Sequence, residues 1–241
     1  MHFSTHSLNC LYIAASIRLM MRSETMPQYR ILKSLSSLTG GGNTLKEQAP
    51  NQALVKAAKI IRILTVPPIP AAAFLITAYF ETNDIFRSPD ELQAAVMFLS
   101  ILPLLAYPLF QWMPGEHTRE KQRKMAFLFT LAGYALGFLY GFLWGMPKMK
   151  AMFFSYFSGV VLLSILNKGF HIRASGHGAS GIAPVILSFQ WISTSAASVF
   201  MIIFLLSCWS SVKLKRHRPS ELLFGAACFA LSFLISKWIF L

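Results

Sequence analysis

The sequence predicts an all-α protein, a polytopic membrane bundle of six to seven helices. Two observations carry this. The chain is 55% hydrophobic with 13% charged residues and a mean hydropathy of +0.53, well outside the range of soluble domains. Its apolar residues also fall into runs of about 18 or more, the length that crosses a bilayer's hydrocarbon core.

The first run, 60–80, contains Pro67, Pro68 and Pro70, and the second, 92–113, contains Pro103 and Pro108. Prolines are tolerated in packed membrane helices because neighbours re-satisfy the freed carbonyls. The third, 125–145, repeats glycine at 133, 137, 141 and 145, a small-residue stripe suited to close helix packing. The fourth is 150–167. The fifth and sixth, 178–193 and 194–210, form one apolar stretch broken only by Gln190-Trp191 and Ser193-Thr194-Ser195, so a re-entrant or short helical pair is open there. The last run is 220–240. Trp112, Trp144, Trp209 and Trp238 sit at run ends, where indole rings anchor at the membrane–water interface.

Residues 1–50 are read as a disordered extension before a membrane domain over 51–241. The stretch 10–22 is short and interrupted by Arg18, its cations do not precede an apolar core as in a secretory signal, and Gly40-Gly41-Gly42 marks a flexible linker. A start at Met26 would cost the membrane domain nothing. Cys10, Cys208 and Cys228 show no zinc-type spacing, so neither a structural metal nor a cofactor is expected.

Charge sorts the loops. If the runs alternate across the membrane, thirteen cations from Lys56 to Arg218 collect on one side, against Arg87, Lys148, Lys150 and Lys237 on the other. The positive-inside rule makes the rich side cytoplasmic, and the formal net charge of +13 is read as juxtamembrane and phosphate-facing, with a bilayer and no nucleic acid as partner.

On that same side lie the residues that point to chemistry. Glu221 is the only carboxylate after Glu120, four positions beyond His217 at the start of a hydrophobic run. An acid is costly there. Its natural task is to accept a hydrogen bond from one imidazole nitrogen, leaving the other basic and aimed. Forty positions earlier, Arg173-Ala174-Ser175-Gly176-His177 opens another run. Two histidines flanked by cations at one membrane surface suggest reaction with an anion. His171 and His117 are read as interfacial anchors.

Ser175-Gly176-His177, and Ser210 followed by His217 and Glu221, resemble the second and third signature motifs of the type 2 phosphatidic acid phosphatase superfamily. Val212, Leu214, Pro219, Ser220 and Gly225 also stand where that family commonly has the same residue. The resemblance covers roughly residues 95–240. It implies His217 as the nucleophile forming a phosphohistidine, Glu221 as its orienting partner and His177 as the acid that protonates the leaving oxygen. Ser175, the Gly176 amide and Arg173 would bind phosphate oxygens. The chain departs from the family pattern at three points. Ser211 stands where an arginine normally follows the motif serine, Glu221 replaces an aspartate, and the family's first motif is absent. Lys121 and Arg123, in the loop before the third run, are the nearest substitutes for that motif, and Lys213 or Lys215 for the arginine. Membership implies a phosphatase acting on a lipid phosphate or diphosphate, of phosphatidate or polyprenyl type. The alternative is a catalytically inactive relative that binds anionic lipid or a partner subunit. The soluble haloperoxidase branch does not suit so apolar a chain, and no transporter-type broken helix pair with a buried acid is evident.

Overall fold

The computed structural model describes residues 52–115 and 118–241. The extension expected over 1–50, and His117, lie outside the described residues. Those described form helices and no strand, in the order α1 (Gln52–Leu64), α2 (Pro68–Glu81), α3 (Pro89–Trp112, interrupted by a π-turn at Met97–Ile101), α4 (Arg119–Trp144), α5 (Pro147–Lys168), α6 (Gly176–Trp191), α7 (Thr194–Lys213) and α8 (Pro219–Phe240). Five of these are long and apolar enough to cross a membrane, and α1 with α2 brings the number to six. The chain is a multi-pass membrane helix bundle.

Two expected spans take a different form. The run 60–80 is not one straight helix: α1 and α2 meet at 52°. Pro67, Pro68 and Pro70 have no N–H to offer the carbonyls four residues back, and their rings crowd the preceding turn. The run 178–193 is the 16-residue α6, about 24 Å long at 1.5 Å per residue and so short of a ~30 Å hydrocarbon core. It forms a hairpin with α7. The chain breaks at Ile192, and the Ser193 hydroxyl caps α7 by accepting from the Ala196 amide at 3.1 Å. The π-turn in α3 also traces to proline. Pro103 cannot donate to Leu99, and the turn before it widens so that the Leu102 amide reaches back to Met97.

Within a bilayer the lipid tails are as apolar as the side chains, so packing relies on close fit and interhelical hydrogen bonds. The glycine stripe of α4 supplies fit. Gly137 and Gly141 both face the ring of Phe153 on α5, and Gly133 faces the Phe98 carbonyl in the π-turn. Gly145 lies one residue beyond the helix. Tyr156 is fully buried, edge-on to Tyr134 and Phe229 at 5.2 Å each. Ser155 of α5 and Ser236 of α8 share a buried 2.7 Å hydrogen bond. Trp112, Trp144, Trp209 and Trp238 are exposed at helix ends, two toward each face.

At the centre stands α6, which packs on α2, α5, α7 and α8. Its crossing with α8 is the tightest. A Cβ at Gly178 would collide with the Leu222 carbonyl, and one at Gly225 with the Ser175 carbonyl. By contrast α7 and α8, though consecutive, barely touch. They leave an apolar groove of about 650 Å³ lined by Phe204, Cys208, Trp209, Leu222, Leu223 and Ala226, with Ile182 of α6 as its floor.

Gly225→Ala is expected to lower stability by about 1–3 kcal/mol, the cost of overpacking a filled contact, because backbone must move. Thermal unfolding of the detergent-solubilised variant measures this. An unchanged midpoint would mean the crossing is slack.

Candidate functional site

The face that gathers the first ends of α4, α6 and α8 and the last turns of α5 and α7 carries both histidine motifs. Each is built by a short, well-defined piece of backbone. α7 ends in a Schellman turn: the Arg216 amide donates to the Ser211 carbonyl and the Lys215 amide to that of Val212, both at 2.9 Å. Lys215 holds the left-handed position usually given to glycine, at φ 52°. Pro219 then starts α8, with its φ already helical and no N–H to leave unpaired. His217 is thus fixed between two helix ends. Glu221 falls in the first turn of α8, where the helix dipole favours a negative charge.

His217 Nδ1 donates to Glu221 Oε2 at 3.0 Å. Both side chains are largely shielded, 16% and 14% exposed. With Nδ1 committed, Nε2 keeps its lone pair. Burial pushes His217 below the ordinary imidazole value, and the guanidinium groups of Arg62 and Arg123 push the same way against the Glu221 hydrogen bond. The imidazole is therefore neutral at pH 7.

The second motif is set from the other side. Asn167, at the end of α5, donates to the Ala174 carbonyl and accepts from the Ala174 amide, both at 3.0 Å. This clamps the loop that enters α6. The Ser175 amide donates to the Glu221 carbonyl at 2.8 Å, joining the two motifs through backbone. His177, in the first turn of α6, sits with its ring 5.7 Å from that of His217. Arg62, His217 and Arg123 all act electrostatically on it. The Ser175 hydroxyl is buried and makes no hydrogen bond, a state that costs about 1–3 kcal/mol unless something pairs with it. A Cβ at Gly176 would meet nothing within 4 Å, so the start of α6 borders open space, and a helix N-terminus facing such space suits an anion.

Of the residues singled out in the sequence, His177, His217, Glu221, Ser175 and Gly176 converge. Arg123 on α4 faces both histidines electrostatically, and Arg173 does the same to Glu221. Lys121 is exposed on the first turn of α4, and Lys213 is exposed at the rim of the apolar groove. The Ser211 hydroxyl, at the position of the missing motif arginine, accepts from Arg62 of α1 at 2.9 Å. Arg62 entered the sequence reading only as one of thirteen cations on this side, and Asn167 and Gly178 escaped it. Nothing in the pattern tied Arg62 or Asn167 to the motifs, whereas Gly178, directly after His177, was a visible signal. Among the described residues no three His, Cys, Asp or Glu side chains come together as a metal site needs.

No family model matches the chain, and neither a curated protein nor a solved structure does.

Two outcomes follow from this geometry. His217 should titrate below pH 6.5 by NMR of the imidazole, and Glu221→Gln, which removes the opposing charge, should move it lower still; a rise would contradict the arrangement. Asn167→Ala, which strands two backbone groups, should cost about 1–3 kcal/mol in thermal unfolding. A neutral effect there would show that the loop needs no clamp.

Proposed function

We propose that this protein is a membrane phosphatase of the type 2 phosphatidic acid phosphatase kind, hydrolysing a lipid phosphate or diphosphate through a phosphohistidine. The observation that carries the reading is the paired, asymmetrically held histidines. Glu221 holds the ring of His217, while His177 stands 5.7 Å from it at the start of a helix.

In the first step His217 Nε2 attacks phosphorus and the bond from phosphorus to the leaving oxygen breaks, while the His177 imidazolium gives that oxygen its proton. The phosphate's negative charge favours the protonated form of His177 on binding. In the second step His177, now neutral, takes a proton from water as the water oxygen attacks phosphorus. The phosphohistidine bond breaks and inorganic phosphate leaves. Positive charge from Arg62, Arg123 and Arg173, with the first amides of α6, offsets charge on the phosphoryl oxygens. The unpaired Ser175 hydroxyl adds a donor.

A lipid substrate is favoured by the groove between α7 and α8. It is almost wholly apolar and ends at Lys213 and Pro219, on either side of the His217 loop. An acyl or prenyl chain lying there would remain among apolar side chains while its phosphate reached the histidines. We read the site as cytoplasmic, from the thirteen cations on its side against four on the other.

The test is phosphate release from a panel of lipid phosphates and diphosphates by the purified protein. The wild type should turn over at least one, His217→Ala should lose at least about 10³-fold, and His177→Ala about 10²–10⁴-fold. Folded protein that releases no phosphate from any lipid would instead be a binder of anionic headgroups.

A further inference from the structure

We infer that Arg62, on α1, is the phosphoryl-binding arginine of this site, supplied from outside the two histidine motifs. This rests on the phosphatase reading above. The sequence lacks an arginine beside Ser210, where Ser211 stands instead. The fold brings one to that position from 149 residues away: Arg62 Nη1 donates to Ser211 Oγ at 2.9 Å.

Three observations give this contact a role beyond helix packing. Ser211 is fully buried, and its carbonyl anchors the turn that positions His217. A guanidinium held on Ser211 is therefore registered to the nucleophile itself. The Ser211 hydroxyl is a neutral acceptor, so this hydrogen bond orients the guanidinium without setting a carboxylate against it. Arg62 also acts electrostatically on His177 and His217 together, ahead of Arg123 in both cases. The charge is thus felt at both rings. A planar guanidinium matches phosphate oxygens in a way a lysine ammonium does not.

The 52° bend explains how the residue arrives. A straight helix over 60–80 would carry Arg62 along the axis of α2. The proline cluster instead turns α1 onto α7, with Ala58 and Ile63 buried, and Arg62 reaches the last turn of that helix.

The experiment compares wild type, Arg62→Lys, Arg62→Gln and Ser211→Ala in the full chain. It reads lipid-phosphate turnover, inhibition by inorganic phosphate, and the thermal shift that inorganic phosphate produces without any lipid substrate. Arg62→Gln should lower kcat/KM by about 10²–10³-fold and abolish the phosphate-induced shift. Arg62→Lys should keep part of both, and Ser211→Ala should weaken both less than Arg62→Gln. If Arg62→Gln matches wild type in turnover and in phosphate response while His217→Ala is inactive, Arg62 merely fastens α1 to α7 and the phosphatase reading stands without it. If wild type turns over no lipid but phosphate raises its unfolding midpoint through Arg62, the anion site stands and the phosphatase reading falls. If wild type turns over no lipid and phosphate shifts no variant, both fall; if wild type turns over lipid but phosphate shifts no variant and Arg62→Gln keeps full turnover, the inference alone falls. Should Arg62→Gln fail to fold, a Ser211→Ala protein with undiminished phosphate response overturns the inference.

Discussion

Two backbones approach at the crossing of α6 and α8 more closely than any side chain would permit, and the candidate site is built on that approach. Gly178 lies against the Leu222 carbonyl and Gly225 against the Ser175 carbonyl, while the Ser175 amide donates to the Glu221 carbonyl. These contacts bracket both motifs. His177 precedes Gly178 by one residue, and Glu221 precedes Leu222 by one. A separation of the two helices by a single methyl group would open the distance between the histidines, so ring placement is set by main chain rather than by flexible side chains. In lipid, where apolar burial does not drive helices together, such contact is among the few ways to hold them.

The electrostatics of the site follow from the same arrangement. A carboxylate near hydrocarbon is costly. Glu221 meets that cost through its place in the first turn of α8 and its hydrogen bond to His217. The cations around the histidines act in the opposite sense, and burial adds to them, so His217 stays neutral. A site of neutral imidazoles in a positive field is poised for an anion, whose arrival changes the field that each ring feels.

The two faces of the bundle divide the work. Opposite the histidines, Lys148 pairs with Asp84, the Arg87 amide donates to Glu91 at 2.7 Å, and Lys237 donates to Gln190 at 3.0 Å. These contacts tie helix ends together. The histidine face gathers cations, a buried hydroxyl without a hydrogen bond and a groove leading into the apolar layer. These helix-end ties thus lie across the bundle from the histidines.

Much of this was legible in the residues themselves. Apolar run length set the helix class, because a backbone in hydrocarbon must satisfy its own hydrogen bonds. The glycine stripe of α4 announced its packing, and a lone acid four residues beyond a histidine announced a hydrogen bond, because that spacing sets the histidine at the entrance of a helix and the acid in its first turn. What only the tertiary structure decided were the relations without a sequence period. The proline cluster at 67–70 reads as tolerable in a membrane helix, but the direction of its bend depends on what α1 packs against. Arg62 reads as one juxtamembrane cation among thirteen, and only its contact with Ser211 distinguishes it. Asn167 reads as a helix end, and only the loop folded over it makes it a clamp. Local chemistry is written in neighbouring residues. The meeting of groups 40 or 149 positions apart is settled by which helices cross, and how closely.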